Sequence, residues 1–98
     1  MSTVKRPFLW CHMQELDTLR KKYENIENIS ESIYLALEEA IISGVLVSGT
    51  RLLEAELSEL FGVSRTPIRE AIKRLLADEL VIHTAQGGFK VREYSVAE

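Results

Sequence analysis

Leu57-Ser58-Glu59-Leu60-Phe61-Gly62-Val63-Ser64-Arg65-Thr66-Pro67-Ile68-Arg69-Glu70-Ala71 is the stretch that decides the fold. Up to Phe61, Leu53, Leu57, Leu60 and Phe61 recur at helical spacing, which predicts a short helix over roughly Glu54 to Phe61 with those side chains inward. Gly62-Val63 interrupts it, because glycine permits the tight turn. Ser64 is a good N-cap for a following helix, and Pro67 lies in its first turn, where a missing N–H costs no intrahelical bond. On that helix Ile68, Ala71, Ile72, Leu75 and Leu76 form the buried stripe, while Thr66, Arg69, Glu70, Lys73 and Arg74 stand opposite and Arg65 sits at the tip. Such a pair, from Leu53 to Ala77, has the form of a helix-turn-helix. The first helix packs across the second, so that the second projects its N-terminal residues outward, a geometry suited to the major groove of DNA.

Upstream, Asn28 followed by Glu31 is a capping-box variant opening a helix whose stripe is Ile33, Leu37, Ala40 and Ile41, closed by Gly44. Ser48-Gly49 marks a turn, and Arg51-Leu52 is long enough only for a very short strand. Earlier still, Leu16, Leu19, Tyr23 and Ile26 predict a helix from Gln14 to Ile26. After Glu79 the period becomes alternating. Val81 to Thr84 and Phe89 to Arg92 are two short strands around Gln86-Gly87-Gly88, a glycine hairpin signal. The sum is a mainly α chain with a small β-hairpin wing: a winged helix-turn-helix over residues 28–93, an N-terminal, partly helical extension over 1–27, and the start of a linker at 94–98.

Ninety-eight residues and 11.2 kDa exclude most multi-domain enzymes, and 46% apolar with 28% charged residues excludes wholesale disorder. No apolar run approaches the ~18 residues of a membrane span. Pro7 to Cys11, behind Lys5 and Arg6, is too short for a signal-peptide core, and a single cysteine forms no internal disulfide. The expected compartment is the cytoplasm. The net charge of −3 conceals a polarised layout: residues 23–60 hold one basic and eight acidic groups, whereas residues 64–92 hold six basic and three acidic ones. Cys11-His12 lacks the further ligands a metal site needs, and no nucleophile–base constellation, phosphate-binding glycine loop or paired-carboxylate pattern is present. No enzyme activity, metal or cofactor is expected.

The residues from Leu57 to Ala71 resemble the signature of the GntR family of bacterial transcription regulators. The likeness extends from about Ser32 to Arg92, including Ser43-Gly44, Gly49-Thr50-Arg51-Leu52 and the glycine wing, and the Ser-Arg-Thr-Pro-x-Arg-Glu-Ala string is similar to the FadR-type branch. The resemblance implies a winged helix that binds palindromic operators in double-stranded DNA as a homodimer, most often as a repressor. It further implies that Ser64, Arg65, Thr66, Pro67 and Arg69 are recognition-helix contacts and that Gly87 and Gly88 form the wing tip in the minor groove. Arg51, Lys73 and Lys90 are expected to neutralise phosphates. In FadR-type relatives a C-terminal helical domain dimerises and binds a small carboxylate; this chain stops at what resembles the linker into it, so an effector metabolite is expected to act only through that absent domain.

The chain departs from the family pattern at four positions. Ala55 stands where a basic residue is frequent, Leu53 where a capping residue is common, Ser48 where proline is frequent, and Glu79 where glycine is frequent. The last would place a side chain at a left-handed position, at a cost of ~1 kcal/mol. Two alternatives stay open. The acidic first half favours a winged helix used as a protein–protein interaction module without DNA binding. The N-terminal helix, with Phe8, Leu9 and Trp10 ahead of it, either docks on its own domain, pairs two subunits, or forms a mobile leader; docking is the expectation, because its stripe would otherwise be exposed.

Overall fold

The computed structural model describes residues 12–93. Phe8, Leu9, Trp10, Cys11 and the linker expected at 94–98 lie outside the described residues. Four helices, α1 (Met13–Lys22), α2 (Ile29–Ile42), α3 (Glu54–Phe61) and α4 (Arg65–Ala77), alternate with three short strands, β1 (Arg51–Leu52), β2 (Val81–His83) and β3 (Phe89–Val91). The strands form one antiparallel sheet in the order β1-β3-β2. The architecture is the mainly helical winged helix-turn-helix expected.

The core gathers the predicted stripes. Ile33, Leu37, Ala40 and Ile41 of α2 meet Ile68, Ala71, Ile72 and Leu75 of α4, with Leu57, Leu52, Val81 and Val91 closing the sides. Leu16 of α1 is fully buried in this same cluster, so the N-terminal helix docks on its own chain. Polar ties hold it there: Tyr23 donates its hydroxyl to Glu39 at 2.5 Å and Lys22 Nζ reaches both oxygens of that carboxylate at 3.0 Å. The Tyr23 and Lys22 donors together hold the Glu39 carboxyl below its ordinary range.

The first helix ends four residues before the expected Ile26. Ser32, buried at the start of α2, donates its hydroxyl to the Tyr23 carbonyl at 2.9 Å, and the Ile26 amide bonds the same oxygen at 3.2 Å. The chain is thereby drawn into a turn that a continued helix would not allow. Asn28 then caps α2 as expected, accepting from the Glu31 amide at 3.1 Å. Both hairpin strands are one residue shorter than predicted: Thr84 is engaged in closing the loop between them, and at the other end the Arg92 amide bonds the Leu80 carbonyl at 2.9 Å, outside the strand pairing.

The join between α4 and the hairpin carries the anticipated backbone cost. Glu79 has φ 64°, the single non-glycine residue with positive φ among the described residues. Its carboxylate accepts from Arg92 Nη1 at 2.9 Å, an exposed pair that ties the far end of α4 to the strand returning from the wing. Beside it, Tyr34 donates its hydroxyl to Asp78, at the end of α4, with Glu38 Oε2 3.2 Å away and the Arg74 guanidinium 3.9 Å above its ring. These contacts fix α4 against α2 from behind and leave its first two turns facing outward.

Candidate nucleic-acid interface

The outward end of α4 is built by the turn before it. Gly62 takes a left-handed conformation (φ 69°) at the end of α3, and the Val63 amide returns to the Ser58 carbonyl at 3.1 Å. Ser64 occupies the N-cap position as expected, but its side chain makes no cap hydrogen bond. Its hydroxyl therefore stays available at the positive end of the helix, beside the free amides of the first turn. Arg65 and Thr66 are exposed, Pro67 is half-buried, and among the described residues Arg65 has no charged partner. A guanidinium without a partner, displayed on a rigid helix tip, is arranged to meet paired acceptors such as those of guanine.

Arg69, one turn later, is in a different situation. Its Nε and Nη2 donate to the two oxygens of Glu54, at 3.3 and 3.2 Å, in a two-point fork. That carboxylate holds the guanidinium above its ordinary pKa. Lys73 follows on the same exposed face. Glu54 itself opens α3, three residues after Arg51, so the pair links α4 to the edge of the sheet.

On that sheet Arg51 and Lys90 are directly opposed in the β1–β3 register. Like charges in cross-strand positions repel, and an anion lying over both relieves the repulsion. Lys90 reaches Glu93 at only 3.8 Å, and Arg51 acts on Glu56, whose carboxyl is pushed up by its partial burial and held back by that charge. A groove lined by Arg51, Ile82, His83, Gln86 and Lys90 runs from this pair towards the wing.

At the wing tip, sequence reasoning and structure differ on one glycine. Gly87 has φ 94° and open space where a Cβ would stand, whereas Gly88, equivalent to it in the hairpin signal, has no positive φ. The loop is closed by Thr84, whose amide bonds the Gly88 carbonyl at 2.8 Å and whose hydroxyl accepts from the Gly88 amide at 3.0 Å. A Cβ on Gly88 would meet Leu53 Cδ2 at 3.5 Å, an ordinary contact, which sets the wing beside the residue preceding Glu54. Gly87→Val is therefore expected to distort the loop and weaken duplex binding more than it weakens folding, whereas Gly88→Ala leaves both within about twofold. Titration of each variant on duplex DNA beside its melting curve checks this. A lowered Tm with unchanged affinity for Gly87→Val would make the hairpin purely structural.

Ser64, Arg65 and Thr66 are thus exposed at the N-terminal end of α4, with Pro67 half-buried beside them and Arg69 and Lys73 exposed on the turns that follow, while Arg51 lies on the edge strand β1, Lys90 on the central strand β3, and Gly87 and Gly88 in the loop before it. Glu54 is the residue that sequence reasoning passed over. Among the described residues no group of histidine, cysteine and acidic side chains is placed to hold a metal ion, and no helix is long and apolar enough to cross a membrane.

A family model described as bacterial regulatory proteins, gntR family, matches residues 29–91. The HTH-type transcriptional repressor RspR of Escherichia coli (strain K12) is 32% identical over 81 residues, covering 83% of this chain and 36% of that protein. The gluconate operon transcriptional repressor of Bacillus licheniformis is 50% identical over 52 residues, covering 53% of this chain and 21% of that protein. A crystal structure of a GntR-family transcriptional regulator from Pseudomonas syringae pv. tomato superposes with a TM-score of 0.70 at 34% identity, over 87% of this chain and 36% of that one. YtrA of Sulfolobus acidocaldarius, a GntR-family transcription factor, shares the fold at a TM-score of 0.66 and 22% identity, over 74% of this chain and 77% of that one. The chain spans between about a fifth and a third of the length of these two curated relatives.

Proposed function

The chain belongs to the GntR family of bacterial regulatory proteins, a family of DNA-binding transcription regulators, and from that premise we propose that it is the DNA-reading head of a repressor. In this reading α4 enters the major groove with Arg65, Thr66, Pro67 and Arg69 towards the base edges, and Ser64 bonds a phosphate at the helix N-terminus. Arg51, Lys73 and Lys90 neutralise further phosphates, and the Gly87-Gly88 tip follows the adjacent minor groove. Two such heads bind a palindromic operator as a homodimer, in a cytoplasmic regulator whose effector acts through a separate C-terminal domain. The observation that carries the proposal is the exposed Arg65-Thr66 tip on a helix whose opposite face is packed into the core. Use as a protein–protein module is not favoured, because the relatives are HTH-type transcription regulators.

Arg65→Ala is the direct test. Loss of a bidentate base contact is expected to cost about 1–3 kcal/mol on a preferred sequence obtained by selection, and much less on random duplex, since most phosphate contacts survive. Binding titrations on both duplexes at one salt concentration separate the cases. Equal losses on both would make Arg65 a backbone contact and transfer sequence choice to other residues.

A further inference from the structure

We propose that Glu54 is a specificity-determining positioning residue, which holds the Arg69 guanidinium for base reading and withholds it from indiscriminate contact with phosphate. The inference rests on the DNA-reading role of α4 proposed above. Glu54 is an acidic residue at an interface where every other assigned contact is basic, hydroxylic, proline or glycine, and a carboxylate there repels the phosphate backbone. Its retention of Arg69 does little for the fold: the Arg69 side chain is 56% exposed, and pairs of that exposure contribute almost nothing to stability. Its geometry suits another task. The Glu54 side chain is only 21% exposed, seated in the first turn of α3, and therefore a firm anchor for a long and mobile partner.

The fork engages one edge of the guanidinium, through Nε and Nη2. An arginine has five N–H groups in a rigid plane, so both hydrogens of Nη1 and the second of Nη2 are left to donate. Fixing the plane removes the rotamer freedom that Arg69 would otherwise lose on binding, which favours a partner whose acceptors match the fixed direction. The carboxylate also cancels much of the guanidinium charge, and charge is what random phosphate contacts use. Arg65, one turn earlier on α4 and without such a partner, contributes to both kinds of binding; Arg69 is reserved for one.

The test uses the 98-residue chain and its Glu54→Gln, Arg69→Ala and doubly substituted variants, titrated against a selected duplex and a random duplex from 50 to 200 mM salt. Glu54→Gln keeps the side-chain length and removes the charge. Its expected effects are tighter binding to random duplex, a dependence of log K on log salt steeper by about 0.9 as one more phosphate is neutralised, and a selected-to-random affinity ratio about tenfold lower. With Arg69→Ala already in place, Glu54→Gln is expected to change that ratio less than twofold, and melting curves of all variants are expected to coincide within a few degrees. A purely structural Glu54 would instead lower both affinities together and shift Tm without moving the salt slope. Parallel changes on the two duplexes, or a full effect in the absence of Arg69, overturn the positioning role alone. A parent chain that does not prefer the selected duplex overturns the DNA-reading role, and this inference with it.

Discussion

Leu57→Ala and Ile72→Ala are each expected to remove about 2–5 kcal/mol of stability, through lost burial and the cavity left behind. Leu57 is 0% and Ile72 1% exposed, and they come from the two helices whose crossing aims the Arg65 tip. Domains of this size are stable by roughly 5–15 kcal/mol, so either change consumes a large part of that margin and lowers Tm by on the order of 10–30 °C. Exposed Lys73→Ala serves as the control, with a change within about 0.5 kcal/mol. Thermal melts followed by far-UV circular dichroism give the answer. If both core variants melted like the parent, α3 could not be packed on α4 through these two side chains.

What made this core legible was the agreement of independent local signals. The apolar positions of α2, α3 and α4 keep helical spacing, and each helix is bounded by a residue with a backbone reason to be there: Asn28 as a cap, Gly62 in the left-handed turn, Pro67 in the first turn of α4. Even the cost at Glu79, whose φ is 64°, was readable, though only through the resemblance, which places a glycine there. The end of α1 was not readable in this way. The spacing of Tyr23 and Ile26 is helical, and what stops the helix is a hydroxyl from Ser32, nine residues away from the carbonyl it holds. A pattern of apolar residues contains no information about such a bond.

The same division runs through the candidate site. Residue types at the helix tip and wing were available from the sequence, and the structure places Ser64, Arg65 and Thr66 exposed on the outward end of α4. The distinction between Arg65 and Arg69 was hidden, since both read as exposed cations on one face. It arises from Glu54, fifteen residues from Arg69, and from the crossing of α3 over α4 that brings the two within hydrogen-bond distance. Likewise Gly87 and Gly88 look equivalent in a hairpin signal. The Thr84 hydroxyl makes them different, by closing the loop so that only Gly87 must adopt a positive φ. Side chain–backbone closures and interhelical charge pairs depend on tertiary geometry, and local spacing rules do not reach them.

Joining two heads through a dimerisation domain fused after Glu98 is expected to raise affinity for a palindrome by about 10²–10⁴-fold over the single chain, provided the spacing fits. A winged helix of this kind reads one half-site, and successive half-sites lie about one helical turn, or ~34 Å, apart, beyond the reach of a single α4. With a net charge of −3 and with Arg69 engaged by Glu54, the single head has few free cations, so its affinity at physiological salt is expected near the micromolar range of phosphate-driven contacts. The fold bears on the outcome in one further respect. The N-terminal helix was a candidate for pairing subunits, but its central Leu16 is fully buried in its own core, and Leu19 packs against the same cluster. That apolar edge is therefore spent within the chain and is not offered as a pairing surface. Titration of the single chain and of the fusion on a palindrome and on one half-site, at equal salt, with mass measured in solution, compares the two directly. A large gain for the fusion on the palindrome alone, with a monomeric single chain, is the expected result. Tight binding of the palindrome by a dimeric single chain would show that the head carries its own pairing surface, and the dependence on a second, dimerising domain would fall.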